Sequence, residues 1–122
     1  MTTLNLLRPS FALLALGLCG AFMPVAPPSV PSNFKVVADP ARNGVTMSWS
    51  SSASQIRFFV QKQLPNGTWT AVSGFPVNHL NAGSFYCDTP STQVGVFRFS
   101  LKAKQGTSYS AQTPWITRSN LH

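Results

Sequence analysis

Acidic residues are nearly missing from this chain, because its 122 residues contain two aspartates, Asp39 and Asp88, and no glutamate. General acid–base catalysis usually needs two positioned titratable groups, and the only other candidates near neutral pH are His79 and His122. Nothing in the sequence marks a strained nucleophile or an oxyanion site that would turn His79, Asp88 and a serine into a triad. The sequence therefore predicts a protein that is not an enzyme, with no catalytic residue and no cofactor.

Cysteine is equally scarce, with only Cys19 and Cys87 in the chain. Cys19 lies in an apolar N-terminal segment, so the folded part has no partner for Cys87 and its core must hold without a disulfide. A metal site needs three or four ligands at suitable spacing, and His79, Cys87 and Asp88 form the only nearby trio. We interpret these as a loop histidine and a thiol packed in or beside a sheet, and predict no metal site.

No apolar run in the sequence is clearly long enough to cross a membrane, since residues 11–23 fall short of the roughly 20 that a spanning helix needs. This run follows a single basic residue, Arg8, which is the pattern of a secretory signal. Lipidation of Cys19 is a weaker alternative, because Leu18 is large for the position before a lipidated cysteine. Residues 1–23 are thus predicted to be a signal or membrane anchor, or else an arm buried against a neighbouring subunit.

Basic residues dominate the charge, with nine Lys and Arg and a net charge of +7. This excess favours anionic partners. No basic residues are adjacent, so we predict no specific nucleic-acid site. Charged residues make up only 9% of the chain, against roughly 25% in an average globular protein. A surface of Ser, Thr, Asn and Gln suits a secreted protein, an appendage or a virion better than a cytosolic enzyme.

A proline-rich segment, residues 24–32, follows the apolar run and is predicted to be an extended spacer. Beyond it, short alternating strands are separated by turns, without helical periodicity. In the stretch 44–50, Val45, Met47 and Trp49 occupy every second position, which indicates a half-buried strand. Trp49 is predicted to fill the middle of a core between two sheets.

Similar alternation recurs along the chain and predicts seven strands, including a return strand over 68–73 and a last strand over 108–116. The turn between the third strand and the return strand is Leu64-Pro-Asn-Gly67. This spacing predicts an all-β fold, a seven-stranded antiparallel sandwich. The side chains expected to anchor its core are those of Trp49, Phe58, Val60, Phe97, Phe99 and Leu101.

Several of these pieces, taken in order, resemble a fibronectin type III domain: Gly44-Val-Thr-Met-Ser-Trp49, Phe58-Phe-Val60, Asn66-Gly-Thr-Trp69 and Phe97-Arg-Phe-Ser-Leu-Lys-Ala103. The resemblance covers residues 31–117 and implies an immunoglobulin-like sandwich over 33–117, followed by a tail over 118–122. It also implies a spacer or binding module rather than a catalyst. A tyrosine is usual in the family where Phe97 stands, and no Arg-Gly-Asp sequence is present to carry over integrin-type adhesion.

One outward surface is the predicted binding site. The resemblance implies that the third and sixth strands are neighbours. If alternate residues of both strands face the core, the intervening ones point outward and bring cations close to an aromatic ring. Such a surface would bind an acidic glycan or the acidic surface of a protein. Its predicted members are Arg57, Phe59, Gln61, Arg98 and Lys102.

These observations lead to two alternatives for function. In the first, the module is secreted or tethered to a membrane, and is displayed outside the cytoplasm for binding or adhesion. In the second, it is a structural subunit that decorates a virion or appendage and contacts its neighbours through residues 1–23.

Overall fold

The computed structural model describes residues 26–39, 41, 44–88 and 95–119. Strands separated by turns and irregular segments make up this part of the chain, which contains no helix. The strands are β1 (Ser32–Asp39), β2 (Gly44–Ser50), β3 (Gln55–Gln63), β4 (Trp69–Ala71), β5 (Val77–Leu80), β6 (Ser84–Asp88), β7 (Val96–Gln105), β8 (Ser108–Tyr109) and β9 (Ile116–Ser119).

These strands form two antiparallel sheets. The smaller sheet has the order β1-β2-β6. In the larger sheet, β3 and β7 pair at the centre, β4 and β5 pair successively with the outer edge of β3, and β8 and β9 pair with the outer edge of β7. The prediction of an all-β antiparallel sandwich is therefore confirmed. The described strands exceed the predicted seven because β5 is additional and the predicted last strand is divided into β8 and β9.

The division of the last strand has a local cause between Ser110 and Pro114. Two hydroxyl groups replace main-chain acceptors there, since the Ala103 amide donates to Ser110 Oγ and the Leu101 amide donates to Thr113 Oγ1, both over 2.9 Å. Pro114 has no amide hydrogen to donate to the ladder. The segment nevertheless stays bound to β7, because the amides of Ser110 and Thr113 donate to the carbonyls of the same two β7 residues.

The core lies between the sheets and contains all six of the predicted anchors. Five of them are at most 1% exposed and Trp49 is 6% exposed. The Trp49 ring meets Phe58 edge-on at 5.3 Å, and Phe58 stacks on Phe85 of the opposite sheet at 4.5 Å. Aromatic packing thus joins β2 and β6 to β3 without a covalent link.

A single amide side chain, that of Asn81, completes this end of the core. Its Oδ1 accepts a hydrogen bond from Trp49 Nε1 over 2.9 Å, so the indole proton is satisfied despite its burial. Its Nδ2 donates to the carbonyls of Ser51 and Ala53 over 2.8 and 2.9 Å. Asn81 therefore fixes the loop after β2 against the segment that leads into β6.

The sheets extend slightly past the predicted domain boundaries. β1 begins at Ser32, within the predicted spacer, and β9 continues to Ser119. Arg118, which the sequence assigned to the tail, is a residue of β9 and pairs with Phe97 of β7. Its Nε donates to the Val36 carbonyl over 3.1 Å. It thereby connects the larger sheet to β1.

The predictions for residues 1–23, including Cys19, and for residues 120–122 lie outside the described residues. Within the described ranges, no helix is long and apolar enough to cross a membrane.

Candidate binding surface

The outer face of the larger sheet brings together the five residues that the sequence predicted for binding. Arg57, Phe59 and Gln61 alternate along β3 with the buried residues of the core. In β7, Lys102 lies opposite Arg57 and Arg98 lies opposite Gln61. Because cross-strand partners point to the same face, these five side chains share one surface.

Four further residues belong to this surface in addition to the five predicted from the sequence. We call the whole set the cationic face and define it by its nine members: Arg57, Phe59, Gln61, Trp69, Arg98, Lys102, Lys104, Tyr109 and Trp115. Lys104 continues the same alternation of β7 and could have been found from it. Tyr109 is placed by the pairing of β8 with the end of β7. The position of Trp115 depends on the irregular segment after β8, for which the sequence carries no periodic signal.

Arg98 occupies one end of the cationic face and is enclosed by aromatic rings. Its guanidinium carbon lies 4.4 Å from the centroid of Trp69 and 4.2 Å from that of Trp115. Its Nε also donates to Gln61 Oε1 over 2.8 Å. Two indoles and an amide therefore hold this cation in place, an arrangement that favours a planar guanidinium over a lysine ammonium.

Arg57 and Lys102 occupy the other end, between two rings. The Arg57 guanidinium lies 5.7 Å from the centroids of both Phe59 and Tyr109. The Lys102 ammonium lies 5.8 and 5.9 Å from the same two centroids. Arg57 Nη1 donates to Asn78 Oδ1 over 3.2 Å. Two like charges therefore converge on one site, and each is in contact with both rings.

Lys104 lies beside this pair but is already engaged by hydrogen bonds. Its Nζ donates to Gln55 Oε1 over 3.1 Å and to the Gly106 carbonyl over 2.6 Å. It is also 5.9 Å from the Tyr109 ring centroid. Lys104 adds positive charge to the site, although one of its three donors is used by Gln55 of β3 and another by the turn between β7 and β8.

Tyr109 responds to this environment. Its pKa is lowered from the ordinary value, first because the Asn78 amide donates to its hydroxyl over 3.4 Å, and further because of the charges of Arg57 and Lys104. Both causes favour the phenolate form. The direction of the shift agrees with a locally positive potential at this end of the face.

The acidic residues lie on the other sheet. Asp39 ends β1 and Asp88 ends β6, and both are opposite Gly44 in the strand between them. Among the described residues, no carboxylate belongs to a strand of the larger sheet. The cations of the cationic face therefore have no described acidic neighbour within their own sheet. Their charge is not neutralised there and gives this surface a positive electrostatic potential.

Ser100 departs from the predicted pattern. Its position between Arg98 and Lys102 predicts an exposed side chain, yet the residue is fully buried. The segment before β9 covers it, since Ser100 Oγ donates to the Thr113 carbonyl over 2.6 Å. The segment before β9 therefore covers the middle of β7 on the outer face. Phe59 of β3 is paired there with the buried Ser100.

Two other candidates from the sequence, His79 and Cys87, lie in different sheets. His79 lies in β5, with its ring 4.8 Å from Phe85, while Cys87 is buried in β6. Burial, and secondly the charge of Asp88, raise the pKa of the Cys87 thiol to about 11. Within the described ranges, no three His, Cys, Asp or Glu side chains are grouped closely enough to hold a metal ion.

The formal glycosylation acceptor Asn66-Gly67-Thr68 lies in the turn between β3 and β4. Asn66 Oδ1 accepts hydrogen bonds from the Thr68 amide and hydroxyl over 3.0 and 2.7 Å. Gly67 has a φ of 90°, and its amide donates to the Leu64 carbonyl over 2.8 Å. These contacts account for the residue types of the turn.

Comparison with known proteins supports the fold but goes no further. No family model matches the chain, and no curated protein is significantly similar to it. It is similar to a solved structure described as "a Fn3-like protein from Clostridium thermocellum", with a TM-score of 0.51 and 13% identity over 75% of this chain and 92% of the other. The chain has a fibronectin type III-like fold. A fold alone does not determine a function or a ligand.

Proposed function

We propose that the protein is a non-catalytic binding module that holds an extended anionic glycan on its cationic face. The observation that supports this proposal is the concentration of four cations, Arg57, Arg98, Lys102 and Lys104, on a sheet without a described carboxylate. Such a surface attracts polyanions over about a Debye length and repels other cationic surfaces.

The shape of the surface favours a polymer over a small molecule. Small-molecule sites are concave and enclose most of their ligand. The cationic face is the outer surface of a sheet, and two open clefts of the described chain, beside Ser50 and beside Phe34, are lined by none of its residues. An extended chain can follow the strands and contact both ends of the face.

The composition of the surface favours a glycan over an acidic protein. The centre of a protein interface is usually apolar, with large exposed anchors. Of the exposed large hydrophobic residues described, only Leu80 and Tyr109 lie in strands of the larger sheet. The half-buried rings of Phe59, Trp69 and Trp115 instead offer flat surfaces beside cations, which suit sugar rings that carry anionic groups.

Binding to dextran sulfate tests this function, with uncharged dextran as the control ligand. We expect salt-sensitive binding of dextran sulfate and none of dextran. Lys102→Gln should weaken binding at least tenfold, because it removes a charge from the face. Lys35→Gln is the matched control, since Lys35 is exposed on β1 of the other sheet, and it should change affinity less than twofold. Tighter binding to polyglutamate than to dextran sulfate would instead indicate an acidic protein as the partner.

We further propose that the module is displayed outside the cytoplasm, with residues 1–23 acting as a signal or anchor. The apolar run behind Arg8 and the low content of charged residues support this proposal. The same run also supports the alternative of a virion or appendage subunit held by an N-terminal arm. Mass spectrometry of the mature protein distinguishes them: a processed N-terminus or a lipid on Cys19 supports display, and an intact Met1 in a purified particle supports the subunit.

A further inference from the structure

We infer that the cationic face contains one oxyanion subsite, formed by Arg57 and Lys102 between the rings of Phe59 and Tyr109, which takes a sulfate ester of the glycan. Arg98, at the other end, acts as a structural cation that fixes the two indoles. This inference rests on the proposed function and assigns different roles to cations that the sequence presents as equivalent.

The two ends of the cationic face differ in how many of their hydrogen-bond donors are already bonded within the protein. The Lys102 ammonium donates no hydrogen bond within the described part of the chain, and Arg57 uses one of its donors for Asn78. Arg98 is stacked between two indoles within 4.4 Å and donates to Gln61 as well. A ligand would therefore find free donors at Arg57 and Lys102, and a shielded guanidinium at Arg98.

The convergence of two like charges is itself a reason to expect an anion. Arg57 and Lys102 are directly opposite each other in β3 and β7, and both cations lie 5.7–5.9 Å from the same two ring centroids. Repulsion between the two charges raises the free energy of the unbound protein. An oxyanion between them would offset this repulsion and accept a charge-assisted hydrogen bond from each cation. Lys104, beside the same tyrosine, strengthens the attraction.

The number of available donors favours a tetrahedral oxyanion over a planar carboxylate. An arginine fork can donate two parallel hydrogen bonds to two oxygens of one anion. Tyr109 accepts from Asn78, so its own hydroxyl proton remains available as a further donor. A sulfate ester has three terminal oxygens, which can accept from Arg57, Lys102 and Tyr109 at once, whereas a carboxylate has two.

The test compares charge-conserving variants at the two ends, Arg57→Lys and Arg98→Lys, using dextran sulfate as the probe and calorimetry for affinity. Arg57→Lys should weaken binding at least fivefold, because the charge remains but the fork is lost. Arg98→Lys should change affinity less than twofold while lowering the melting temperature. Lys102→Gln and Arg57→Gln should each weaken binding tenfold or more. Affinities are measured at a temperature where near-ultraviolet circular dichroism shows every variant to be folded.

Each outcome decides at least one proposal. If the wild-type protein does not bind dextran sulfate, the proposed function fails. If it binds, but Arg98→Lys weakens binding as much as Arg57→Lys, the charge of the cationic face acts diffusely, and the subsite is wrong while the function stands. If Lys35→Gln weakens binding as much as Lys102→Gln, binding is not confined to the cationic face, and both proposals are wrong. If polyglutamate loses affinity in the Arg57→Lys variant as strongly as dextran sulfate does, the preference for a tetrahedral anion is wrong.

Discussion

The two faces of β3 and β7 are built from alternate residues of the same strands, yet they carry opposite kinds of side chain. The inner face places Phe58, Val60, Phe97, Phe99 and Leu101 in the core. The outer face places cations between aromatic rings, partly open to water. Because the side chains of a strand alternate between its two faces, one stretch of chain can stabilise the core on one face and bind a ligand on the other. A substitution on one face should therefore have little effect on the role of the other face.

The sharpest test of this separation uses neighbouring residues of the same type, Phe58 and Phe59. Phe58→Ala should lower the free energy of unfolding by about 3–5 kcal/mol, because it leaves a cavity against Trp49 and Phe85. Phe59→Ala should cost about 1 kcal/mol, since its ring is half-buried and its main contacts are with two cations. Urea denaturation measures both values, and similar losses at the two positions would contradict the assignment of faces.

The burial of Cys87 on the inner surface of the smaller sheet can be tested by measuring the free energy of unfolding as a function of pH. The folded-state pKa of about 11 lies above the value near 9 expected in the unfolded chain. The unfolded state therefore loses its proton first, so the contribution of Cys87 is fully present below pH 9 and is lost as pH rises toward 11. The loss is on the order of 2–3 kcal/mol.

The variant Cys87→Ala isolates this effect from other groups that titrate at high pH. Its free energy of unfolding should fall less steeply between pH 9 and 11 than that of the wild-type protein. Parallel pH profiles for the two proteins would show that the thiol is not protected as its burial implies.

Arg98 is the outer-face residue that should behave most like a core residue. Arg98→Met keeps an unbranched stem but removes the charge between Trp69 and Trp115, and should destabilise the fold by about 1–2 kcal/mol. Lys102→Met, its matched control on the same strand, should change stability by less than about 0.5 kcal/mol, because surface charges contribute little. Thermal melts compare the two, and the reverse order would exchange the roles assigned to the two cations.

The sequence alone determined the sandwich and its core. Alternation in the stretches around Trp49, Phe58 and Phe99 fixes which face of each strand is apolar, and burial of that face requires a second sheet. The same alternation indicated that Arg57, Arg98 and Lys102 point away from the core, and the resemblance to the sandwich family implied that their strands are neighbours. These features follow from local periodicity and from the resemblance, both of which a sequence displays directly.

Only the tertiary structure decided what the outer cations do. The Arg98 stack joins residues of β4, β7 and the segment before β9, and that segment also covers Ser100. Tyr109 reaches Arg57 and Lys102 because β8 pairs with the end of β7. Contacts between residues so distant in sequence depend on register and on an irregular segment held by side-chain hydroxyls, and neither leaves a periodic trace in the chain.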